Sequence, residues 1–241
     1  LTVEDVSFGY DARPVLSNVS LAIGRRDYLA IIGPNGGGKT TLVKIVLGLL
    51  EPWSGRVVSS LSSAHAAGYV PQFAAFDRQF PLRVEEVVRM GRLGLRGPAG
   101  RYRDEDHAAV DAILGRLGLA AVRRTLISEL SGGQLQRTLI ARALVGEPEI
   151  LFLDEPLASI DSESRGIVLG ELEALNRRIP VVVVTHDVTL FAGAVRQIAC
   201  VNRTLHYHPS GELTSEMLEE VYGCPVELVA HGVPHRVVEE H

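Results

Sequence analysis

GPNGGGKTTL, residues 33–42, follows the apolar run DYLAII at 27–32 and opens the helical pattern TTLVKIVLGLL at 40–50. A buried strand, a glycine loop and a helix start in that order form a phosphate cradle. The stretch Gly33, Pro34, Asn35, Gly36, Gly37, Gly38, Lys39, Thr40 fits G-x-x-x-x-G-K-[ST], and Thr41 continues it into the helix. Glycines let the backbone wrap closely, so several N–H groups can converge on phosphate oxygens. The helix adds its positive end. Lys39 is then expected to reach β- and γ-phosphates, and the Thr40 hydroxyl to hold Mg²⁺. Lysine occurs only at positions 39 and 44, while arginine is common. A chain that avoids lysine yet keeps one in this loop points to its compact charge.

Outward from the loop, ILFLDE at 150–155 is a buried strand ending in two carboxylates, Asp154 and Glu155. Asp154 is placed to hold Mg²⁺ and Glu155 to polarise an attacking water. IPVVVVTHD at 179–187 is another buried strand, its β-branched run suited to a sheet covered on both faces. Segments 1–8 and 15–23 alternate as strands of a small sheet, and CVNRTLHYH at 200–208 with GELT at 211–214 suggests a hairpin. Helical spacing marks 84–95, 104–119, 135–145 and 164–178, with a short helix at 215–223. Alternating strands and helices indicate an α/β fold with a mainly parallel sheet and a helical insertion at about 78–140.

The chain has 241 residues, 46% hydrophobic and 22% charged, with a formal net charge of −5. An acidic chain without a long basic run excludes nucleic acid as the expected partner. Cys200 and Cys224 make no disulfide framework, which fits a reducing compartment. The longest apolar runs are too short to cross a bilayer. No internal repeat is present. His241 is read as either native or the remnant of a tag.

LSGGQ at 130–134 opens a second glycine-rich helix start, with a hydroxyl, exposed N–H groups and a dipole end suited to a γ-phosphate. GPNGGGKTT, LSGGQ, ILFLDEP and VVVTHD stand in the order of the ATP-binding-cassette (ABC) ATPases, which the chain resembles over at least residues 1–225. The resemblance implies a P-loop NTPase core, a small N-terminal antiparallel β part and an inserted helical subdomain, followed by a tail at 226–241. It implies ATP and Mg²⁺ as cofactors and a head-to-tail dimer of two copies. Ser131, Gly132, Gly133 and Gln134 then contact the nucleotide held by the other copy. Tyr10 is similar to the adenine-stacking aromatic, and Gln72 to the glutamine that touches Mg²⁺ and the attacking water. Ser159 and Asp161 lie in the loop that crosses to the partner, where Ile160 replaces the usual leucine. Glu155 is the implied base and His186 the γ-phosphate contact. Gly37 stands where many members have serine or alanine.

The resemblance also implies a polytopic membrane permease, a separate substrate-binding protein and a place on the cytoplasmic face of the cell membrane. GYVPQFAAFDRQFPLRVEEVVRMGR, VNRTLHYH and CPVELVAHGVPHRVV are similar to the ATPases of zinc/manganese-type importers. Cys224, His231, His235, His206 and His208 match no zinc spacing and read as hairpin and surface residues. Other readings stay open: a cassette for another solute or an exporter, a soluble ABC ATPase of DNA repair or translation, and a non-enzymatic nucleotide-binding scaffold. The single acidic cassette disfavours the soluble class, and Lys39, Asp154, Glu155 and His186 together disfavour the scaffold.

Overall fold

The computed structural model describes residues 1–63, 66–72, 80–97, 100–158, 160–191 and 193–209. Two sheets organise them. A three-stranded antiparallel sheet has the order β2-β1-β4, from β1 (Thr2–Tyr10), β2 (Arg13–Ala22) and β4 (Ser54–Val58). A six-stranded sheet has the order β5-β6-β7-β3-β8-β9. Its strands are β3 (Tyr28–Ile32), β5 (Ala67–Val70), β6 (Ile150–Asp154), β7 (Val181–Val184), β8 (Gln197–Asn202) and β9 (Thr204–His208). All pairs in it are parallel except β8 with β9.

Both faces of the large sheet are covered, which is why its inner strands read as unbroken apolar runs. Ala30, Leu151, Leu153, Val181 and Val183 pack toward the helical side. Leu29, Ile31, Phe152, Val182 and Val184 pack toward β1, β2 and α1 (Lys39–Val46). Between β5 and β6 the chain forms α2 (Val84–Met90), α3 (Leu93–Arg96), α4 (Asp104–Arg116) and α5 (Gly132–Val145). Helix α6 (Ser162–Asn176) joins β6 to β7. Asp106 is fully buried among these helices, where it pairs with Arg92 and Arg96. Among the described residues no helix is long and apolar enough to cross a membrane.

Four helices stop earlier than apolar spacing predicts, α6 by two residues at Asn176 and three others by more. The helix expected over 40–50 ends at Val46 because Gly48 turns left-handed at φ 69°. Leu49 N–H then donates to Lys44 O and Gly48 N–H to Ile45 O, a Schellman closure. Gly118, at φ 65°, ends α4 the same way. The helix expected over 84–95 breaks at Gly91, where a Cβ would lie 1.9 Å from Arg142 O. The first strand runs on to Tyr10 and turns at Asp11 and Ala12, both with positive φ, as a two-residue hairpin requires. The expected segments GELT and 215–223 and the tail at 226–241 lie outside the described residues.

Candidate active site

The carboxyl ends of adjacent strands β6, β7 and β3 converge, and the loops leaving them carry the chemistry. The glycine loop leaves β3. At Gly33 (φ 145°) a Cβ would fall 2.0 Å from Val201 O, and at Gly38 (φ 102°) 2.6 Å from Leu16. Gly33 admits no other residue without moving the β8 backbone, and Gly38 holds a left-handed conformation that strains any other residue. Gly38 begins α1 and offers no side-chain cap, so the first N–H groups of that helix face outward without a local acceptor. Lys39 Nζ donates to Gly33 O at 2.8 Å and Pro34 O at 2.9 Å. Burial pushes its pKa below the ordinary lysine value, against the opposing pull of Glu155 and Asp154.

Thr40 Oγ1 donates to Asp154 Oδ2 at 2.6 Å, joining the start of α1 to the end of β6. Burial raises the Asp154 pKa, and the Thr40 hydrogen bond opposes that shift. A hydroxyl and a carboxylate held together are hard oxygen donors of the kind Mg²⁺ takes. Glu155 follows in the left-handed region at φ 49°, its N–H bound to Val184 O. Its Oε1 accepts from His186 Nδ1 at 2.9 Å and from His186 N–H at 3.1 Å. Two donors on one oxygen fix the carboxylate and leave Oε2 for another partner. Nε2 is the ring atom left to face a phosphate.

The glycine loop, Asp154 and Glu155 border a cleft of about 420 Å³. Tyr10, Asn35 to Thr41, Gln72, Asp154 and Glu155 line it, together with Val15. Tyr10 stands half-exposed at its edge, with Phe8 against it at 5.0 Å in a T-shaped arrangement. His186 is reached through Glu155 and does not itself line the cleft. Among the described residues lining it, none comes from 131–134.

The second glycine stretch starts α5 elsewhere. Ser131 Oγ accepts from Gln134 N–H at 3.2 Å, and Gln134 Oε1 accepts from Ser131 N–H at 3.0 Å. This is a capping box. Ser131 uses a lone pair there, so its own hydroxyl hydrogen is still available to donate. Gly133 is buried against the start of α6, where a Cβ would lie 3.0 Å from Asp161 Oδ2. Asp161 caps α6 through Ser164 N–H at 2.9 Å, and that bond holds its pKa low. The structure therefore brings Asp161 beside the 131–134 stretch of its own chain. Ser159 lies outside the described residues, as do Cys224, His231 and His235. Among the described residues no group of three or more His, Cys, Asp or Glu side chains could hold a metal ion.

The sequence reading missed the clamp behind the phosphate loop. Arg203, left-handed at φ 61° between β8 and β9, donates its N–H to Gly37 O at 3.1 Å. Its carbonyl accepts from Ser17 N–H at 2.7 Å. A Cβ on Gly37 would lie 2.8 Å from Val201 O, so glycine suits this close approach. No local motif signals such a clamp.

A family model described as "ABC transporter" matches residues 16–158. A Chlamydia trachomatis protein named "Probable metal transport system ATP-binding protein" is 40% identical over 210 residues, covering 85% of this chain and 89% of its own length. The Bacillus subtilis "High-affinity zinc uptake system ATP-binding protein ZnuC" is 39% identical, over 78% of this chain and 84% of that protein. The Halalkalibacterium halodurans "Manganese transport system ATP-binding protein MntB" is 38% identical, over 91% and 90%. Among solved structures, an ABC transporter in an inward-facing conformation aligns with a TM-score of 0.82 at 30% identity, covering 93% of this chain and 88% of that one. A dimeric ATP-binding cassette with ADP and phosphate bound shares the fold, with a TM-score of 0.72 at 24% identity, covering 86% and 97%. The chain belongs to the ABC transporter family, as one of its ATP-hydrolysing cassettes.

Proposed function

We propose that two copies of this chain sandwich ATP head to tail and drive import of a zinc- or manganese-type metal ion through a membrane permease. The carrying observation is the convergence of Thr40, Asp154, Glu155 and His186 beside the glycine loop through direct hydrogen bonds. The relatives named for metal, zinc and manganese transport support the cargo. The dimeric cassette of the same fold supports the pairing. A substrate-binding protein delivers the metal, and the permease holds this subunit to the cytoplasmic face of the membrane. Residues 1–225 form the cassette, with the helical subdomain inserted at about 78–140.

In this reading the adenine stacks on Tyr10, and the phosphates replace Gly33 O and Pro34 O as partners of Lys39. Water attacks the γ-phosphate in line. Glu155 accepts its proton through Oε2, and His186 Nε2 contacts the γ-phosphate. Ser131 and Gly133 of the second copy complete the pocket, with Asp161 and Ser159 at the crossing. Thr40, Asp154 and Gln72 would hold Mg²⁺, which neutralises charge on the transferred phosphoryl group when bound. Positioning and charge neutralisation carry most of the rate.

Reconstitution with the permease and substrate-binding protein in vesicles tests the cargo. ATP-dependent uptake of Zn²⁺ or Mn²⁺ is the expected result. Uptake of only an organic solute, or outward transport, overturns it.

A further inference from the structure

Strand β1 outruns one of its two neighbours. Its register with β4 ends at Ser7 opposite Ser54, while its register with β2 continues to Tyr10 opposite Arg13. Phe8, Gly9 and Tyr10 therefore have a paired strand on one side alone. Tyr10 also precedes the turn at Asp11 and Ala12, so it stands at the end of a hairpin, where backbone pairing opens most readily.

Trp53, the residue before β4, stands beside this unpaired length. Its N–H donates to Ser7 O at 2.8 Å, and its ring lies across Gly9, where a Cβ would fall 2.4 Å from Cη2. The same Cβ would lie 2.0 Å from Arg13 O, so glycine at position 9 admits the β2 backbone and the indole together. The indole is 6.1 Å from the Phe8 ring, tilted by 35°, and Phe8 in turn meets Tyr10. Phe8 is buried between the two, whereas Tyr10 and Trp53 are each about half exposed. Trp53 does not line the nucleotide cleft, so it reaches that cleft through Gly9 and Phe8. An aromatic ring held in place before its ligand arrives leaves less ordering to be done on binding.

We propose that Trp53 is a positioning residue for the nucleotide base: it holds the end of β1 so that the Tyr10 ring is preset for stacking. The proposal rests on the reading of Tyr10 given above and adds the residue that sets it. The test compares Trp53→Ala, Tyr10→Ala and the double variant of the full chain in steady-state ATP hydrolysis. Inorganic tripolyphosphate, which has phosphates and no base, serves as the competitor. Trp53→Ala should raise the KM for MgATP about 3- to 10-fold, the equivalent of one aromatic pair, with kcat within about twofold. Its inhibition by tripolyphosphate should match wild type, because the phosphate loop is untouched. In the Tyr10→Ala background the same substitution should change KM by less than about twofold, since a positioning residue has no effect once its target is gone. Trp53→Phe should recover most of the wild-type KM. An unchanged KM for Trp53→Ala, an equal weakening of tripolyphosphate, or effects that multiply in the double variant would overturn the proposal and leave Tyr10 as the stacking residue. So would a Trp53→Ala chain that fails to fold, which would assign the indole to the stability of the sheet. A Tyr10→Ala variant with wild-type KM would remove the stacking reading, and this proposal with it.

Discussion

Helices α1 and α5 both begin in glycine-rich sequence suited to an anion, yet they begin differently. At Gly38 no side chain caps the helix, three loop glycines hold positive φ values that other residues rarely adopt, and Arg203 clamps the loop from behind. At Ser131 the helix is closed by its own serine and glutamine, with a Ser131–Gln134 bond of 3.2 Å at the long end of the normal range. One start is held open by the rest of the fold. The other is satisfied locally and lines a different surface. In the proposed sandwich the pocket draws one helix start from each of two chains.

The sharpest way to break this comparison is at the first site. Glu155→Gln should lower kcat by about 100- to 10,000-fold, the range for a lost general base, while size-exclusion chromatography with MgATP shows a trapped dimer. A variant that turns over normally would remove Glu155 from the chemistry. Next, Ser131→Arg and Lys39→Ala should each reduce turnover by roughly 100-fold or more. Mixing the two should restore activity, because a mixed dimer holds one intact composite pocket. No recovery on mixing would mean that each chain works alone.

A smaller effect separates function from stability. Asp154 has a raised pKa in the fold, so its contribution to stability is full in acid and lost as pH rises through that raised value. Asp154→Asn should then raise the melting temperature of the nucleotide-free protein at pH 7 and leave it nearly unchanged at pH 4, while ATP hydrolysis fails. An unchanged melting temperature at pH 7 would mean that the buried carboxylate carries no such cost. The smallest change is expected at the second helix start. Gln134→Ala removes one arm of the capping box and should cost about 1 kcal/mol, or 2–4 °C in melting temperature.

Contiguous features were legible in the sequence. The glycine loop, the strand ending at Asp154 and the valine run before His186 each declare their place within a few residues. Helix ends were less legible, because Gly48 and Gly118 act through a left-handed turn that apolar spacing cannot show. Position 91, where α2 gives way to i→i−3 turns, must be glycine because Arg142 O, about fifty positions away in the chain, lies where a Cβ would stand. The clamp at Arg203 and the meeting of Gly133 with Asp161 were invisible for the same reason. They exist only once distant segments have packed.

The position of β3 between β7 and β8 has a consequence for synthesis. Ile32 leaves the ribosome long before Asn202, and at about 5–20 residues per second the interval is roughly 10–30 s. Until Val184 emerges the nascent chain carries an apolar central strand with neither neighbour yet made, and one edge stays unpaired until β8 follows. A chain truncated before β8 would leave one edge of that apolar strand unpaired, a template for aggregation and a target for proteases.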